Sequence, residues 1–166
     1  MARPVLDDPR FPEGYVPQRT GQYLDWDTVA EWLRDSKHFW LSTTRPDGRP
    51  HVVPRWGVWW DDRFWYDGSP ETRHARNLAT NPACALHLES GERVLILEGE
   101  SRASGPVDLD TGADLAAEYA RKYAPAYTPQ ADAWSDEQGG GMTVFTPHRG
   151  FAWSRFPDDV TRYRWL

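Results

Sequence analysis

A single cysteine, Cys84, stands in the 166 residues, so no internal disulfide braces the fold. It lies in "ACALHL" and reads as a small buried hydrophobe rather than a nucleophile. No apolar run approaches the roughly 20 residues of a membrane helix. The N-terminal stretch "MARPVLDDPRFPEGY" has no apolar segment of the signal-peptide kind and is broken by Pro4, Pro9 and Pro12. We therefore expect a cytoplasmic protein. Cations are also scarce: 19 Lys and Arg against 25 Asp and Glu give a net charge of -6. That excludes a general nucleic-acid binder, which needs a basic face to displace phosphate counterions, but not a local cationic pocket. His38, His51, His74, His87 and His148 are scattered without metal-ligand spacing, so no zinc site is expected. Repeats, low-complexity tracts and dividing linkers are missing. One domain over residues 1–166 is expected, with residues 1–24 as an irregular arm.

What is abundant is tryptophan, ten in all, which calls for flat apolar surface to bury in a core, an interface or against a planar ligand. "DTVAEWLRDSK" reads as a helix, with Thr28 and Glu31 at capping-box spacing. "HFWLSTT" and "HVVPRWGVWWDD" read as a hairpin turned by Asp47-Gly48, and Pro54 and Gly57 mark an edge or a bend in the return strand. "RFWYD", "ACALHLES", "RVLILEGESRAS", "TVFTPHRGFAW" and "VTRYRWL" read as further strands. "DLDTGADLAAEYARKY" reads as a helix with Leu115, Tyr119 and Tyr123 on one stripe. "SDEQGGGM" reads as a flexible loop. Roughly six or seven strands with two or three short helices predict a mainly β fold, an antiparallel barrel with peripheral helices. Glu98 and Glu100 share one strand face and read as a solvated face.

The chemistry gathers in "FWYDGSPETRHARNLATNP", where a strand gives way to a helix. Ser69 suits an N-cap and Pro70 a first helical residue, so the helix is predicted over 70–80, ending at Asn81-Pro82. A helix N-terminus favours an anion, yet three cationic or titratable side chains, Arg73, His74 and Arg76, stand there. With the Thr72 hydroxyl, they describe a phosphate site at the end of a strand. The alternative is a set of solvated surface cations on an ordinary helix start.

The succession "STTRPDGRPHVVPRWGVW", "RFWYDGSPETRHARNLATNPACALHL" and "RVLILEGESRAS", about Phe39 to Ser104, resembles the FMN-binding split β-barrel family, similar to pyridoxamine 5'-phosphate oxidase. The tail "FAWSRFPDDVTRYRWL" resembles the ending of members that use the deazaflavin F-420. The resemblance implies a split β-barrel and a flavin-nucleotide oxidoreductase, using FMN or F-420, that oxidises or reduces a small organic substrate by hydride transfer. It also implies two sites at a homodimer interface.

The family's second strand, which touches the flavin largely through backbone, falls on Val53, Pro54, Arg55, Trp56, Gly57 and Val58. The end of its third strand falls on Tyr66 and Asp67. Its Arg-Lys phosphate pair falls on Arg73 and His74, and an imidazole there would make binding pH-sensitive. Cofactor contacts are thus expected at Val53, Pro54, Arg55, Trp56, Tyr66, Ser69, Thr72, Arg73 and His74, with no dedicated catalytic acid or base. Trp56, Trp59, Trp60 and Trp153 are candidates to wall a planar pocket, or else core. The chain departs from the oxidases at Val53, Val58, His74 and Val94, and it lacks their C-terminal Arg-x-His. The vitamin B6 reaction is therefore not expected. FMN is favoured narrowly over F-420. The alternative is a non-catalytic module that stores or senses flavin or haem, with His51 or His74 as an axial ligand.

Overall fold

The computed structural model describes residues 3–17, 21–136 and 141–166. The chain order is β1 (Val5–Asp7), α1 (Trp26–Asp35), β2 (Phe39–Thr44), β3 (Pro50–Arg55), β4 (Val58–Trp60), β5 (Arg63–Tyr66), α2 (Arg73–Thr80), β6 (Ala83–His87), β7 (Val94–Ala103), α3 (Leu109–Tyr123), β8 (Thr143–Trp153) and β9 (Thr161–Arg164). Every pairing of these strands is antiparallel. The fold is a split β-barrel with three short helices around it.

Closure runs from β2 to β6, β7, β8, β5 and β4, and β4 is joined to β3, which pairs back on β2. Between β3 and β4 the ring is covalent rather than hydrogen-bonded: the chain turns a corner at Trp56-Gly57. A Cβ on Gly57 would sit 2.4 Å from Phe64 Cζ and 2.7 Å from the Trp65 carbonyl oxygen, so the corner admits no side chain. The hairpin before it turns as expected, with Gly48 at φ 82°. The next turn uses Asp61 and Asp62 at φ 49° and 54°, the positive values that a tight two-residue hairpin demands.

The barrel is filled by alternating inward residues, among them Phe39, Leu41, Phe64, Tyr66, Leu86, Leu95, Leu97 and Phe145, and α1 adds Trp26, Val29 and Leu33 to this core. A second core lies outside β4 and β5, where Val58 and Trp65 meet Leu115, Tyr119 and Tyr123 of α3 and Trp134. Because β4 and β5 are covered on both faces, "GVWW" and "FWY" are apolar without alternation.

Three sequence expectations are corrected. The arm over residues 1–24 is not wholly irregular: Val5–Asp7 pairs with Thr161–Arg164, held by Asp7 between Arg162 and Arg164. A three-residue strand carries too little periodicity to read. α1 is capped by Asp25, whose carboxylate accepts from Thr28 N–H at 3.0 Å, so Thr28 lies inside the helix. Nine strands replace six or seven, because β1 was unread and the corner divides β3 from β4. Within the loop expected over 135–142, residues 137–140 lie outside the described residues. Among the described residues, no helix is long and apolar enough to cross a membrane.

Gly57→Ala is expected to cost about 1–3 kcal/mol, an overpacking penalty. Gly91, with nothing within 4 Å of its would-be Cβ, is the control; Gly91→Ala should stay within about 0.5 kcal/mol of the parent. Urea midpoints check both, and equal midpoints for the two variants would contradict the tight corner.

Candidate functional site

β3 ends one side of the sheet, pairing only with β2. The hairpin bond from Arg45 N–H to the Arg49 carbonyl fixes which pairs exchange ladder bonds. It turns the backbone groups of Pro50, Val52 and Pro54 to the open edge. Proline has no N–H, so of these three positions Val52 alone presents a donor, and Pro54 offers its carbonyl.

Arg55, the last residue of β3, crosses to the loop after β5. Its guanidinium donates to the Asp67 carbonyl and lies over the Tyr66 ring, 5.4 Å from the centroid. Its Nε is buried without a hydrogen-bond partner. Gly68 allows the approach, since a Cβ there would be 2.8 Å from Arg55 Nη2. Asp67 is fixed by its own carboxylate, which accepts from the Tyr127 hydroxyl and, at 3.3 Å, from Trp134 Nε1. Burial, reinforced by Asp67, pushes the Tyr127 phenol upward, so it stays a donor.

α2 begins later than expected, at Arg73, with Thr72 rather than Ser69 as N-cap. Ser69 instead closes a turn: its Oγ accepts from Glu71 N–H at 3.2 Å, and its carbonyl accepts from the Thr72 hydroxyl at 2.9 Å. Serine competes in this way for nearby backbone, which delays the helix past Pro70. Thr72 Oγ1 takes the Ala75 N–H at 3.4 Å. The N–H groups of Arg73 and His74 then have no acceptor within the helix, and the positive dipole end is open.

The expected cations divide. Arg73 is exposed and has no ion pair among the described residues, whereas Arg76 pairs with Glu71. His74 is buried at 5% exposure, with Nε2 3.3 Å from Thr72 Oγ1. Burial first, then the charges of Arg55 and His51, lower it to about 4. Burial therefore favours the uncharged imidazole at neutral pH, below the near-neutral titration expected of His74.

Tyr66 is 1% exposed and packs inside the barrel on Phe64, so its ring serves as the floor under Arg55. Val53 packs on the core from a half-buried position. Trp56 is 44% exposed and stacks on Tyr123, centroids 4.8 Å apart at 12°. The other tryptophans do not join it: Trp59 is core against Trp26, Trp60 packs on Trp65 and Trp153 on Phe156. The planar wall expected from four tryptophans reduces to Trp56.

The sequence missed what secures that corner. Tyr123 OH accepts from Gly57 N–H at 3.0 Å and donates to the Lys37 carbonyl at 2.7 Å. Lys122, 5% exposed, donates from Nζ to the Gly57 carbonyl at 2.9 Å and sits 4.7 Å from the Phe39 ring. Burial, with Arg121 beside it, lowers Lys122 to about 7. Tyr123 was legible as part of the helix stripe; a lysine next to it carried no signal. Asn77 is also buried, its Nδ2 donating to Thr43 Oγ1 at 3.0 Å, which ties α2 to β2.

Two other candidates resolve plainly. Burial raises the Cys84 thiol to about 11, and Sγ donates to Ser101 Oγ, so it stays protonated. Glu98 pairs with Arg149 and Glu100 with Arg102 on an outer face. Among the described residues, no cluster of three or more His, Cys, Asp or Glu could hold a metal ion. A cleft of about 840 Å³, lined by Ser42, Ala85, Glu98, Arg149 and Trp165 among others, shares no residue with the Arg55–Arg73 group.

A family model described as pyridoxamine 5'-phosphate oxidase matches residues 26–154. No curated protein matches the chain. Among solved structures, the chain is similar to a conserved hypothetical protein from Mycobacterium tuberculosis, at 21% identity over 83% of this chain and 89% of that one, TM-score 0.63. It is similar to an F420 reductase at 25% identity over 84% and 98%, TM-score 0.55. It also matches a heme storage protein from Vibrio cholerae at 19% identity over 74% and 89%, TM-score 0.56.

The neutral, buried His74 has a consequence for stability. Between its folded value of about 4 and its ordinary 6.5, the unfolded chain binds the extra proton, so this residue makes stability rise with pH across that window. His74→Gln should flatten the rise in urea-measured stability. Parallel pH curves for the two proteins would contradict the assignment.

Proposed function

The chain belongs to the pyridoxamine 5'-phosphate oxidase family, and on that premise we propose that it is a flavin-nucleotide-dependent oxidoreductase, using FMN or the deazaflavin F-420 on a small organic substrate. The observation that carries the reading is Arg73 in the first turn of α2, where the opening N–H groups are uncapped, with the Arg55 charge near enough to His74 of that turn to act on its imidazole, in a chain of net charge -6. Among the described residues Arg73 has no counter-ion and Arg55 Nε no partner, so these donors are available to a phosphate group.

In this reading Arg73, the first-turn N–H groups and the Ser69 hydroxyl hold the phosphate. Thr72 and His74 shape its seat without adding charge. Arg55 spans from β3 to the Asp67 carbonyl and fixes the strand relative to that seat. Val52 N–H and the Pro54 carbonyl present backbone to the ring system at the open edge, Val53 supports that edge from the core side with its own backbone bonded to Leu41, and Trp56 covers the ring and excludes water. When bound, the cofactor supplies the hydride chemistry, and the chain supplies position and electrostatics. FMN is our first choice, because F-420 carries a polyanionic tail that an acidic chain repels; similarity to an F420 reductase keeps the deazaflavin as the rival. The open edge of β3 and exposed Val52 and Trp56 leave room for a second copy to complete the site, giving a homodimer with two sites.

Storage of flavin or haem without turnover is the competing reading, supported by the likeness to a heme storage protein. Against His74 as an axial ligand stand its burial and the contact of its Nε2 with Thr72.

Fluorescence-quench titration with FMN and, in parallel, F-420 is the test. Saturable binding of one is expected, and Arg73→Ala should weaken it by about 1.5–3 kcal/mol, the scale of a hydrogen bond to a charged group. Unchanged affinity removes Arg73 from the site. Binding of neither cofactor overturns the oxidoreductase reading.

A further inference from the structure

At the other end of β5 from Tyr66, Arg63 stands on the outer face of the barrel, opposite Trp60 in register. Other arginines of the sheet are paired with carboxylates: Arg102 with Glu100, Arg149 with Glu98, and Arg162 and Arg164 sharing Asp7. Arg63 has no carboxylate partner among the described residues, and its Nε is buried without a hydrogen bond. It is half-buried, and an unpaired guanidinium withdrawn from water costs free energy that a matching anion returns.

Two clefts meet at this side chain. One, of about 370 Å³, is bounded by β5, β7 and β8 and lined by Arg63, Trp65, Arg102, Thr146 and His148. The other, of about 310 Å³, carries Asp61 and Asp108, and Asp108 is engaged in capping α3. The carboxylates of the second cleft repel an anion, which directs it into the first. There Glu100 is taken up by Arg102 at 2.8 Å, which leaves the Arg63 charge uncompensated. The Arg63 fork, the remaining N–H groups of Arg102, the Thr146 hydroxyl and the His148 imidazole offer more donors than the two oxygens of a carboxylate use, and Trp65 gives one apolar wall.

We propose that this cleft binds the phosphate group of a small molecule, with Arg63 as its principal ligand. The site is independent of the flavin reading, shares no residue with the Arg55–Arg73 group and stands or falls separately.

Isothermal titration of Arg73→Ala protein with inorganic phosphate and with glycerol 3-phosphate, against a chloride background, tests it. That variant weakens the competing anion seat at α2, and the difference made by Arg63→Gln assigns what binding remains to this cleft. Saturable binding is expected, weakened at least tenfold by adding Arg63→Gln; tighter binding of the ester than of free phosphate identifies a phosphate monoester as the ligand class. Thr146→Asp, which places a carboxylate in the cleft while keeping Arg63, should abolish binding and serves if Arg63→Gln does not fold. Absence of saturable binding, or affinity unchanged within twofold by either substitution, overturns the proposal.

Discussion

The barrel depends on a corner that no ladder bond closes. Between β3 and β4 the ring is held by two residues of chain, and α3 holds those residues from outside through Tyr123 and Lys122 on both backbone groups of Gly57. Burying a lysine is costly, and here the ammonium contacts a carbonyl and two aromatic rings, with Glu118 and Asp35 acting on it only through their more distant charges. The same fixture orients Trp56, stacked on Tyr123, and sets the direction from which Arg55 reaches the loop after β5. Core, corner and candidate site are one mechanical unit, with α3 as its outer brace.

Electrostatics explain how an acidic chain keeps local positive character. Most arginines are spent on carboxylates at the surface, where such pairs are worth little individually. Those left unpaired beside a cavity or a helix end carry the information. Burial acts in the opposite sense: it silences His74 and makes Lys122 easier to deprotonate. Charge at this surface is therefore set by which groups face water, not by which residue types the sequence contains.

The barrel itself was legible, because its evidence is periodic or stereochemical: alternation in "HFWLSTT", positive φ at Gly48, the break at Pro54 and Gly57. Residues whose role arises from distant packing were not. Thr72 displaced Ser69 as cap because a serine bonds its own local backbone, a choice that two capping residues three positions apart leave open. β1 escaped notice because its stability comes from Asp7 meeting two arginines at the far end of the chain. Lys122 sits on the fringe of a helix stripe and looks like any solvated lysine until Gly57 is placed beside it. At the candidate site, the resemblance singled out a segment, but the state of His74 and the orientation of Tyr66 depend on burial, which no local pattern records.

The outward prolines of β3 carry one more consequence. An end strand with a free row of donors and acceptors is a template on which foreign strands add, the route to fibrils and tangled oligomers. Here Pro50 and Pro54 delete two of the three donors at the outward positions, while Val52 and Trp56 still offer apolar surface. The edge thus exposes apolar side chains, while its missing donors weaken any extension of the sheet. An exposed strand edge here carries its own safeguard against runaway polymerisation.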